Sequence, residues 1–437
     1  MNPDHDPNRF VYGVDQWPPA GALAVLGAQW LVLVVPGVLV LGEVVTQVLH
    51  LEATARVAFI GRLFILTGLV QAAQTFLGHR LPAIVGPSSV LLVGTVASAG
   101  AGAGAVFGAM AIGGAAAALV GFTGLAARLR RLFTPTVLAA TLMLVAMSLG
   151  PVMRDLIFHP GTIGRAYGLP LLFCLALVAA MLWGQHHLRG LWSSAVLLLG
   201  LVVGSLVYHL LDLGRSAASS WVPGAGGLLP TWPPFHPDWQ PAVIGSMALC
   251  YLALIANELA TVESTATVVE ACGHKGRLNR AVAVSGLGGA LAGLFGCLGP
   301  VSYAVSPGVA ISSRSASRYS LIPCAAALVA LGLWPRALGL FGLVPPPVVG
   351  AVLFTVMASQ IMASLRLLFG AGRTGDWASG TVVGAAVMTA VVVSFMPEAA
   401  RLAIIPALRP LLANGFVAGL AVALVLEHLL LRRKAKK

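Results

Sequence analysis

Long apolar runs recur along almost the whole chain, from about residue 21 to residue 431, and they constrain the fold more than any other feature. Hydrophobic residues make up 58% of the chain and charged residues only 9%. A run of about 20 apolar residues matches the roughly 30 Å hydrocarbon thickness of a bilayer. Because open strands and bare loops leave backbone groups unpaired in lipid, these runs must be mostly helical. The sequence therefore predicts an all-α, polytopic membrane protein.

About fourteen such spans can be drawn along the chain, with an error of several residues at each boundary. They fall at about 21–47, 55–78, 83–100, 103–125, 133–153, 168–184, 189–211, 241–272, 280–297, 303–317, 319–334, 337–366, 378–396 and 411–431. The longest hydrophilic stretch, 212–240, divides them into a first seven-span repeat, 21–211, and a second, 241–431. Because seven is odd, the second repeat enters the membrane from the opposite side, which predicts an inverted repeat.

Basic residues indicate how the spans are oriented. They concentrate in short loops on one side and in the C-terminal segment 432–437, whereas loop 212–240 contains Arg215 as its only Lys or Arg. Since cytoplasmic loops carry the excess of Lys and Arg, this pattern places the N-terminal segment 1–20 and the basic tail in the cytoplasm and loop 212–240 outside. The pattern also accounts for the net charge of +12 without a nucleic-acid surface. We therefore expect a multi-pass protein of the cell (inner) membrane, with the lipid bilayer and no nucleic acid as partner.

Two spans are short and are interrupted by glycine and proline at corresponding places in the two halves. Span 3 contains the segment 84–90 (IVGPSSV) and span 10 contains the segment 303–309 (YAVSPGV). Proline lacks an N–H and glycine permits unwinding, so a helix can begin in mid-membrane there with free N–H groups facing a ligand. Paired interruptions are typical of a transporter site near the bilayer midplane. The alternative is that these residues only allow close helix packing.

Carboxylates inside the predicted spans are candidates for functional side chains, because a charge at mid-bilayer costs about 2.5–3.5 kcal/mol on insertion scales. Span 8 contains Glu258, Glu263 and Glu270. Five positions separate Glu258 from Glu263, which places them about 140° apart on a helix, so both cannot face one site squarely. We assign the central role of substrate acceptor or proton carrier to Glu263 and keep Glu258 as a second ion-coupling candidate. A structural pair between Glu263 and Arg62 is the alternative.

Amides inside spans 1 and 2 form a second group of buried polar side chains. They are Gln29, Gln71 and Gln74. Glutamines of this kind often make hydrogen bonds between membrane helices. We keep Gln29 as a candidate for the substrate site as well.

Several short motifs follow one another in a characteristic order. They are Tyr12-Gly13-Val14-Asp15 with Pro18-Pro19, Gly27-Ala28-Gln29-Trp30, Gly78-His79-Arg80-Leu81-Pro82 with Gly86-Pro87-Ser88-Ser89, and Glu263-Ser264-Thr265 followed by Gly276-Arg277 and Gly293-Leu294-Phe295-Gly296. In order and spacing they resemble the nucleobase–ascorbate transporter family, the xanthine/uracil permeases, over essentially the whole chain. The resemblance implies a core domain of spans 1–4 and 8–11 and a gate domain of spans 5–7 and 12–14. It also implies an elevator-like movement of the core.

The resemblance further implies where the substrate binds, because in that family it lies between short strands of spans 3 and 10, against a span-8 glutamate. Carried over to this chain, the substrate-binding set is Glu263, Ser88, Ser89, Thr267, Ser302, Ala304, Val305, Ser306 and Gln29. Glu263 and Glu258 are the candidates for coupling to H⁺ or Na⁺. Dimers are common in the family, so the resemblance makes a homodimer a possible assembly of this chain.

Span 10 departs from the family signature [Q/E/P]-N-x-G-x-x-x-x-T-[R/K/G]. Val305 replaces the polar or acidic specificity residue and Ser306 replaces the asparagine, while in span 3 Ser89 stands in place of a substrate-stacking phenylalanine. A valine cannot accept a hydrogen bond from a base N–H, and an unpaired ligand group costs about 1–3 kcal/mol. These substitutions leave two classes of ligand possible, a nucleobase and a small anion.

The sequence favours a secondary active transporter, a proton- or sodium-coupled symporter for a nucleobase such as xanthine or uracil or for a related small polar solute. The alternative is a transporter of a small organic or inorganic anion on the same fold, as in the distantly similar sulfate permease family, with the anion at helix N-termini. The chain contains no GxSxG turn, HExxH helix or Walker loop, which argues against an enzyme with catalytic residues. Its five cysteines lie singly in apolar segments, so neither a metal nor another cofactor is expected.

Overall fold

The structure, a computed structural model, describes residues 10–129, 132–158, 168–188, 190–211, 213, 236, 238–271, 274–370, 377–405 and 408–430. Most of the predicted loop 212–240, the predicted tail 432–437 and residues 1–9 lie outside the described residues. Across the described ranges the regular elements are helices, with one pair of short strands.

The elements follow the predicted order of spans. In chain order they are α1 (Ala20–Val48), α2 (Ala53–Phe76), β1 (Val85–Pro87), α3 (Ser89–Ser98), α4 (Ala103–Phe122), α5 (Ala126–Leu129), α6 (Pro135–Ser148), α7 (Gly150–Ile157), α8 (Gly168–His187), α9 (Leu191–Leu210), α10 (Pro241–Val268), α11 (His274–Phe295), β2 (Pro300–Ser302), α12 (Ser306–Ser312), α13 (Leu321–Gly332), α14 (Pro335–Phe341), α15 (Pro346–Gly370), α16 (Trp377–Ser394), α17 (Glu398–Ala403), α18 (Arg409–Leu412) and α19 (Gly415–Val425).

Ten helices, counted over the described residues, are long and apolar enough to cross a membrane, and an eleventh crossing results if α13 and α14, bent by 87°, form one span. The predicted polytopic helical fold is thus confirmed, whereas the total of fourteen spans stays a prediction. One boundary differs from expectation, since the predicted span 337–366 begins in α14 and continues into α15. The chain breaks between these helices because Pro345 and Pro346 each disfavour a helical conformation in the preceding residue.

The two strands pair with each other in the middle of the bundle. β1 and β2 are antiparallel, with Val85 opposite Ser302 and Pro87 opposite Pro300, and both strands are buried. The two prolines lie opposite each other at one end of the pair, where a missing N–H removes no hydrogen bond from its centre. The short extended segments predicted in spans 3 and 10 are therefore confirmed.

Helices α4 and α11 pack backbone to backbone, through small residues. A Cβ at Gly114 would clash with the backbone of Ala290, and one at Gly286 would clash with the backbone of Ala118. Glycine at such positions is common where membrane helices approach closely. This contact joins α1–α4 and α10–α13 into what we call the first helix group, while α6–α9, α15, α16 and α19 form the second helix group. The assignment of core and gate domains to these groups stays a prediction.

Candidate functional site: a buried carboxylate at the strand pair

Glu258 of α10 lies against β2 and is fully buried. The backbone N–H of Ser302 donates to Glu258 Oε2 at 2.8 Å, and the Ser302 hydroxyl donates to Oε1 at 2.7 Å. Each carboxylate oxygen thus receives one bond from the same residue, which fixes the plane of the carboxylate. The ion pairs seen among the described residues do not include Glu258. Gln74 Nε2 also lies within hydrogen-bond distance of Oε1, at 3.5 Å, so at least three donors surround a carboxylate that accepts about four hydrogen bonds.

Two glutamines of α2 hold this arrangement in place. Gln74 Nε2 donates to the Ser285 hydroxyl of α11 at 2.9 Å and lies 3.5 Å from Glu258 Oε1. Gln71 Oε1 accepts from the backbone N–H of Val85 in β1 at 2.6 Å. Gln74 thus makes the predicted hydrogen bond to another helix, whereas Gln71 bonds to strand β1. Together the two glutamines position the carboxylate and the strand beside it.

Tyr303, the residue after β2, packs its ring over β1. Its backbone N–H donates to the Ile84 carbonyl at 2.8 Å, and its hydroxyl donates to the Pro87 carbonyl at 3.2 Å. Glycines make room for the ring, because a Cβ at Gly86 would clash with ring atoms and one at Gly37 would lie 2.9 Å from the hydroxyl. The side chain is half-buried, so the strand pair carries a partly exposed aromatic ring.

The predicted serines lie at the strand pair, where Ser88 and Ser306 mainly satisfy backbone groups. Ser88 Oγ caps α3 by accepting from the N–H of Leu91 at 3.3 Å. Ser306 Oγ accepts from the N–H of Ile84 at 3.1 Å and donates to the Tyr303 carbonyl at 2.6 Å. These hydroxyls therefore build the site more than they offer free groups to a ligand.

Ser89 connects the strand pair to the second helix group. Its hydroxyl accepts a hydrogen bond from Gln360 Nε2 of α15 at 2.9 Å. Ser89 is the first residue of α3, directly after Ser88 and β1. A displacement of one helix group against the other would break this bond.

Glu263 and Thr267, to which the sequence assigned substrate binding, lie elsewhere on α10 than the side chain that contacts the strand pair. Glu263 is half-buried, Thr267 is exposed, and the Thr267 hydroxyl donates to the Glu263 carbonyl at 2.8 Å. Glu263 is about 7.5 Å along the axis and about 140° around it from Glu258. Ser302 donates its hydrogen bonds to Glu258, so Glu258 is the carboxylate that lies at the strand pair. Glu263 lies near the C-terminal end of α10, which extends only to Val268.

Gln29, Ala304 and Val305 are the remaining predicted site residues. Gln29 is buried, and its Nε2 lies 3.5 Å from the Ser194 hydroxyl of α9, so it bridges the helix groups. Gly37, which touches Tyr303, lies about 12 Å further along α1. Ala304 and Val305 follow β2 and are exposed, Val305 by 50%. Ala304 and Val305 therefore lie beside the strand pair, and Gln29 lies away from it.

Sequence reasoning missed Tyr303 and Gln360 as residues of this region. Tyr303 stands inside the interrupted segment 303–309, so its position was a signal that could have been used. Gln360 lies within an apolar span without a motif, and its contact with Ser89 depends on tertiary packing. No group of three or more His, Cys, Asp or Glu side chains suited to a metal ion occurs within the residues described.

Interrupted helices that meet at a buried strand pair define a fold seen in solved membrane transporters. The transmembrane domain of a cyanobacterium bicarbonate transporter, BicA, matches with a TM-score of 0.62 and 16% identity, covering 93% of this chain and 96% of that chain. SLC26A9 matches with a TM-score of 0.59 and 13% identity, covering 92% of this chain and 64% of that chain. These likenesses show the fold. The protein is a multi-pass membrane protein of this architecture.

The chain belongs to the xanthine/uracil permease family, since the sequence model of this permease family matches residues 21–399. It is therefore a membrane transporter, and the resemblance noted from its motifs is confirmed. Two Bacillus subtilis relatives are each 24% identical. YwdJ, which carries the provisional name of purine permease, is matched over 94% of this chain and 97% of its own length. The uric acid permease PucK is matched over 79% and 81%, respectively.

Proposed function

We propose that the protein is a secondary active transporter of purine nucleobases. The observation that carries this proposal is the buried Glu258 carboxylate, held by Ser302 at the strand pair, in a chain of the xanthine/uracil permease family. The names of the two relatives, a purine permease and a uric acid permease, support an oxopurine as the substrate.

Glu258 accepts hydrogen bonds from ring N–H groups of the substrate in this proposal. Oxopurines carry several N–H groups in one plane, and a hydrogen bond to a charged group contributes about 1.5–3 kcal/mol. The Tyr303 ring supplies an aromatic surface on which a planar ring stacks. Val305 contacts the ligand through its methyl groups and adds no hydrogen bond. Recognition by hydrogen bonds therefore rests on α10 and β2.

The same carboxylate is the proposed carrier of the coupling proton. A single carboxylate suffices for this task, and intramembrane carboxylates commonly serve in proton relays. The proton and the substrate then bind at the same place, and this couples the flux of protons directly to the flux of substrate. The first helix group, which contains both strands, acts as the moving core, and the second helix group acts as the gate.

Arginines concentrate at the C-terminal end of α2, and we propose that this end faces the cytoplasm. Arg277 donates to the His79 carbonyl at 2.9 Å, and Arg318 donates to the Thr75 carbonyl at 2.9 Å. Arg280 lies in the same region, with its Nε 3.3 Å from the Gly78 carbonyl. Under the positive-inside rule this orientation places both termini in the cytoplasm.

Uptake of labelled xanthine, urate and hypoxanthine into proteoliposomes, with and without a pH gradient, tests the proposal. We expect gradient-dependent uptake by the wild type and a loss of about 10- to 100-fold in Glu258→Gln, since the amide offers a weaker acceptor and carries no proton. Glu263→Gln is the discriminating variant and should retain uptake. A loss confined to Glu263→Gln would return the central role to that residue. If the protein neither transports nor binds any of the three purines, the proposed transport of purines is rejected.

A further inference from the structure

A cavity of about 600 Å³ lies between the two helix groups, away from the strand pair. The first helix group lines it with Val48, at the end of α1, and with Val93 and Val96 of α3. Val96 is seven residues, or about 10 Å, along α3 from Ser89, so one short helix connects this cavity to the Glu258 site. Its volume falls within the range of small-molecule sites, about 300–1,000 Å³.

The second helix group supplies the polar side of the cavity. Ser148, Ser394 and Asn414 are among its lining residues. Ser148 is only 9% exposed, and its Oγ has no hydrogen-bond partner in the part of the chain that the structure describes. A buried hydroxyl without a partner is uncommon in proteins, because it has lost its hydrogen bonds to water and no hydrogen bond within the protein replaces them. A ligand with an acceptor atom at this point would satisfy it.

The charged residues that line the cavity are two arginines and one aspartate. Arg154 forms an ion pair with Asp155 at 2.7 Å. Arg401 of α17 adds a second guanidinium to the lining. The charged groups of the lining therefore sum to one positive charge, which favours a negatively charged ligand.

Other arginines at this end of the bundle are engaged in holding the fold together. Arg56, at the start of α2, donates to Glu43 at 2.9 Å through its Nε. Arg409 donates to the Leu402 carbonyl at 3.1 Å. The end of the bundle that faces outward in our proposed orientation normally contains few arginines, so guanidinium groups that line an open cavity there point to a ligand.

We propose that this cavity is an entrance site that binds the monoanion of an oxopurine, such as urate, before it moves along α3 to Glu258. The inference rests on the proposed function, because it assigns the cavity to the same substrate. Arg401 and Arg154 attract the anion, Ser148 donates to a ring carbonyl, and Val93 and Val96 contact the face of the ring. A neutral purine gains no charge–charge attraction from the guanidinium groups and should depend on them much less.

Initial rates of uptake separate the anionic from the neutral substrate. Urate is a monoanion at neutral pH, whereas hypoxanthine is neutral. We expect Arg401→Gln to raise the KM for urate by about fivefold without changing kcat, to leave the KM for hypoxanthine unchanged, and to be rescued by Arg401→Lys. Raising the ionic strength should raise the KM for urate in the wild type and have a smaller effect in Arg401→Gln. Arg336→Gln, an exposed arginine outside the cavity, is the matched control.

Binding of labelled urate to the purified protein in detergent does not depend on transport. We expect Arg401→Gln and Ser148→Ala to weaken this binding, and Arg336→Gln to leave it unchanged. Equal urate binding by wild type and Arg401→Gln, or an equal rise in KM for both purines, would overturn the entrance site. So would a wild type that transports hypoxanthine and neither binds nor transports urate, an outcome that leaves the proposed transport of purines standing.

Discussion

Ser302 donates both its backbone N–H and its hydroxyl to the carboxylate of Glu258, at 2.8 Å and 2.7 Å. The backbone bond ties the carboxylate to strand β2, and the hydroxyl bond fixes its rotation. Because β2 pairs with β1, the position of Glu258 is coupled to both interrupted spans. One helix and two broken segments thus meet at a single side chain.

Loss of the Ser302 hydroxyl should weaken substrate binding. In Ser302→Ala, Glu258 Oε1 loses its 2.7 Å hydrogen bond, and a hydrogen bond to a charged group contributes about 1.5–3 kcal/mol. We expect a rise of about tenfold in the Kd of labelled purine, measured on the purified protein. Ser312→Ala is the control, because that hydroxyl is exposed and donates to Val309 within its own helix. Equal Kd values for the two variants would contradict the role given to Ser302.

A side chain at Gly86 should displace Tyr303 from the strand pair. The Cβ of Gly86→Ala would clash with the Tyr303 ring, and overpacking of this kind typically costs about 1–3 kcal/mol. We expect a lower Tm in detergent and weaker purine binding. Gly308→Ala, where a Cβ meets open space, should leave the Tm nearly unchanged. In a Tyr303→Ala background the Gly86→Ala change should cost much less, and full additivity would argue against the clash.

Loss of the bond between Gln360 and Ser89 should speed the exchange between conformations. A neutral hydrogen bond contributes about 1 kcal/mol, which corresponds to about fivefold in rate if it must break before the helix groups move. We expect Gln360→Leu and Ser89→Ala each to accelerate substrate counterflow, and the double variant to add little. Ser359→Ala, whose hydroxyl donates to Thr355 on its own helix, is the control. Additive effects of the two changes would show that the residues act separately.

His79 should make the stability of the protein depend on pH. It lies between α2 and β1, outside the spanning helices, and its Nδ1 accepts from the N–H of Leu81 at 3.0 Å. Burial, together with the charge of Arg277, lowers the pKa of His79 from 6.5 to about 3. The unfolded chain therefore takes up a proton at a higher pH than the folded one. The stability that His79 contributes is complete above a pH of about 6.5 and is lost as the pH falls toward 3.

The measurement is the Tm in detergent between about pH 7 and about pH 4, for the wild type and for His79→Asn. Asparagine can still accept from Leu81 and does not titrate, so we expect a flatter curve in this variant. His50→Asn replaces an exposed histidine and should keep the wild-type slope. Parallel curves for wild type and His79→Asn would show that His79 does not take part.

Local sequence signals predicted the parts of the site that lie within one segment. The interruptions at Gly86-Pro87 and at Pro307 indicated two broken spans, and the family resemblance implied the short strands within them. The choice of Glu263 over Glu258 followed a motif match, Glu263-Ser264-Thr265, whereas the structure places Glu258 at the strand pair. The position within the helix would have been the better guide, since Glu263 is only five residues from the end of α10 at Val268.

The sequence by itself determined the membrane-spanning helical fold, the two interrupted segments and the family, because hydropathy and breaks in helices are local properties of the chain. Only the tertiary structure decided which carboxylate meets the strands, that Tyr303 covers Gly86, and that Gln360 reaches Ser89. The physical reason is that the five residues from Glu258 to Glu263 rotate a side chain by about 140°. The face that a residue presents therefore depends on how its helix is turned against its neighbours, and that rotation is set by packing across the whole bundle.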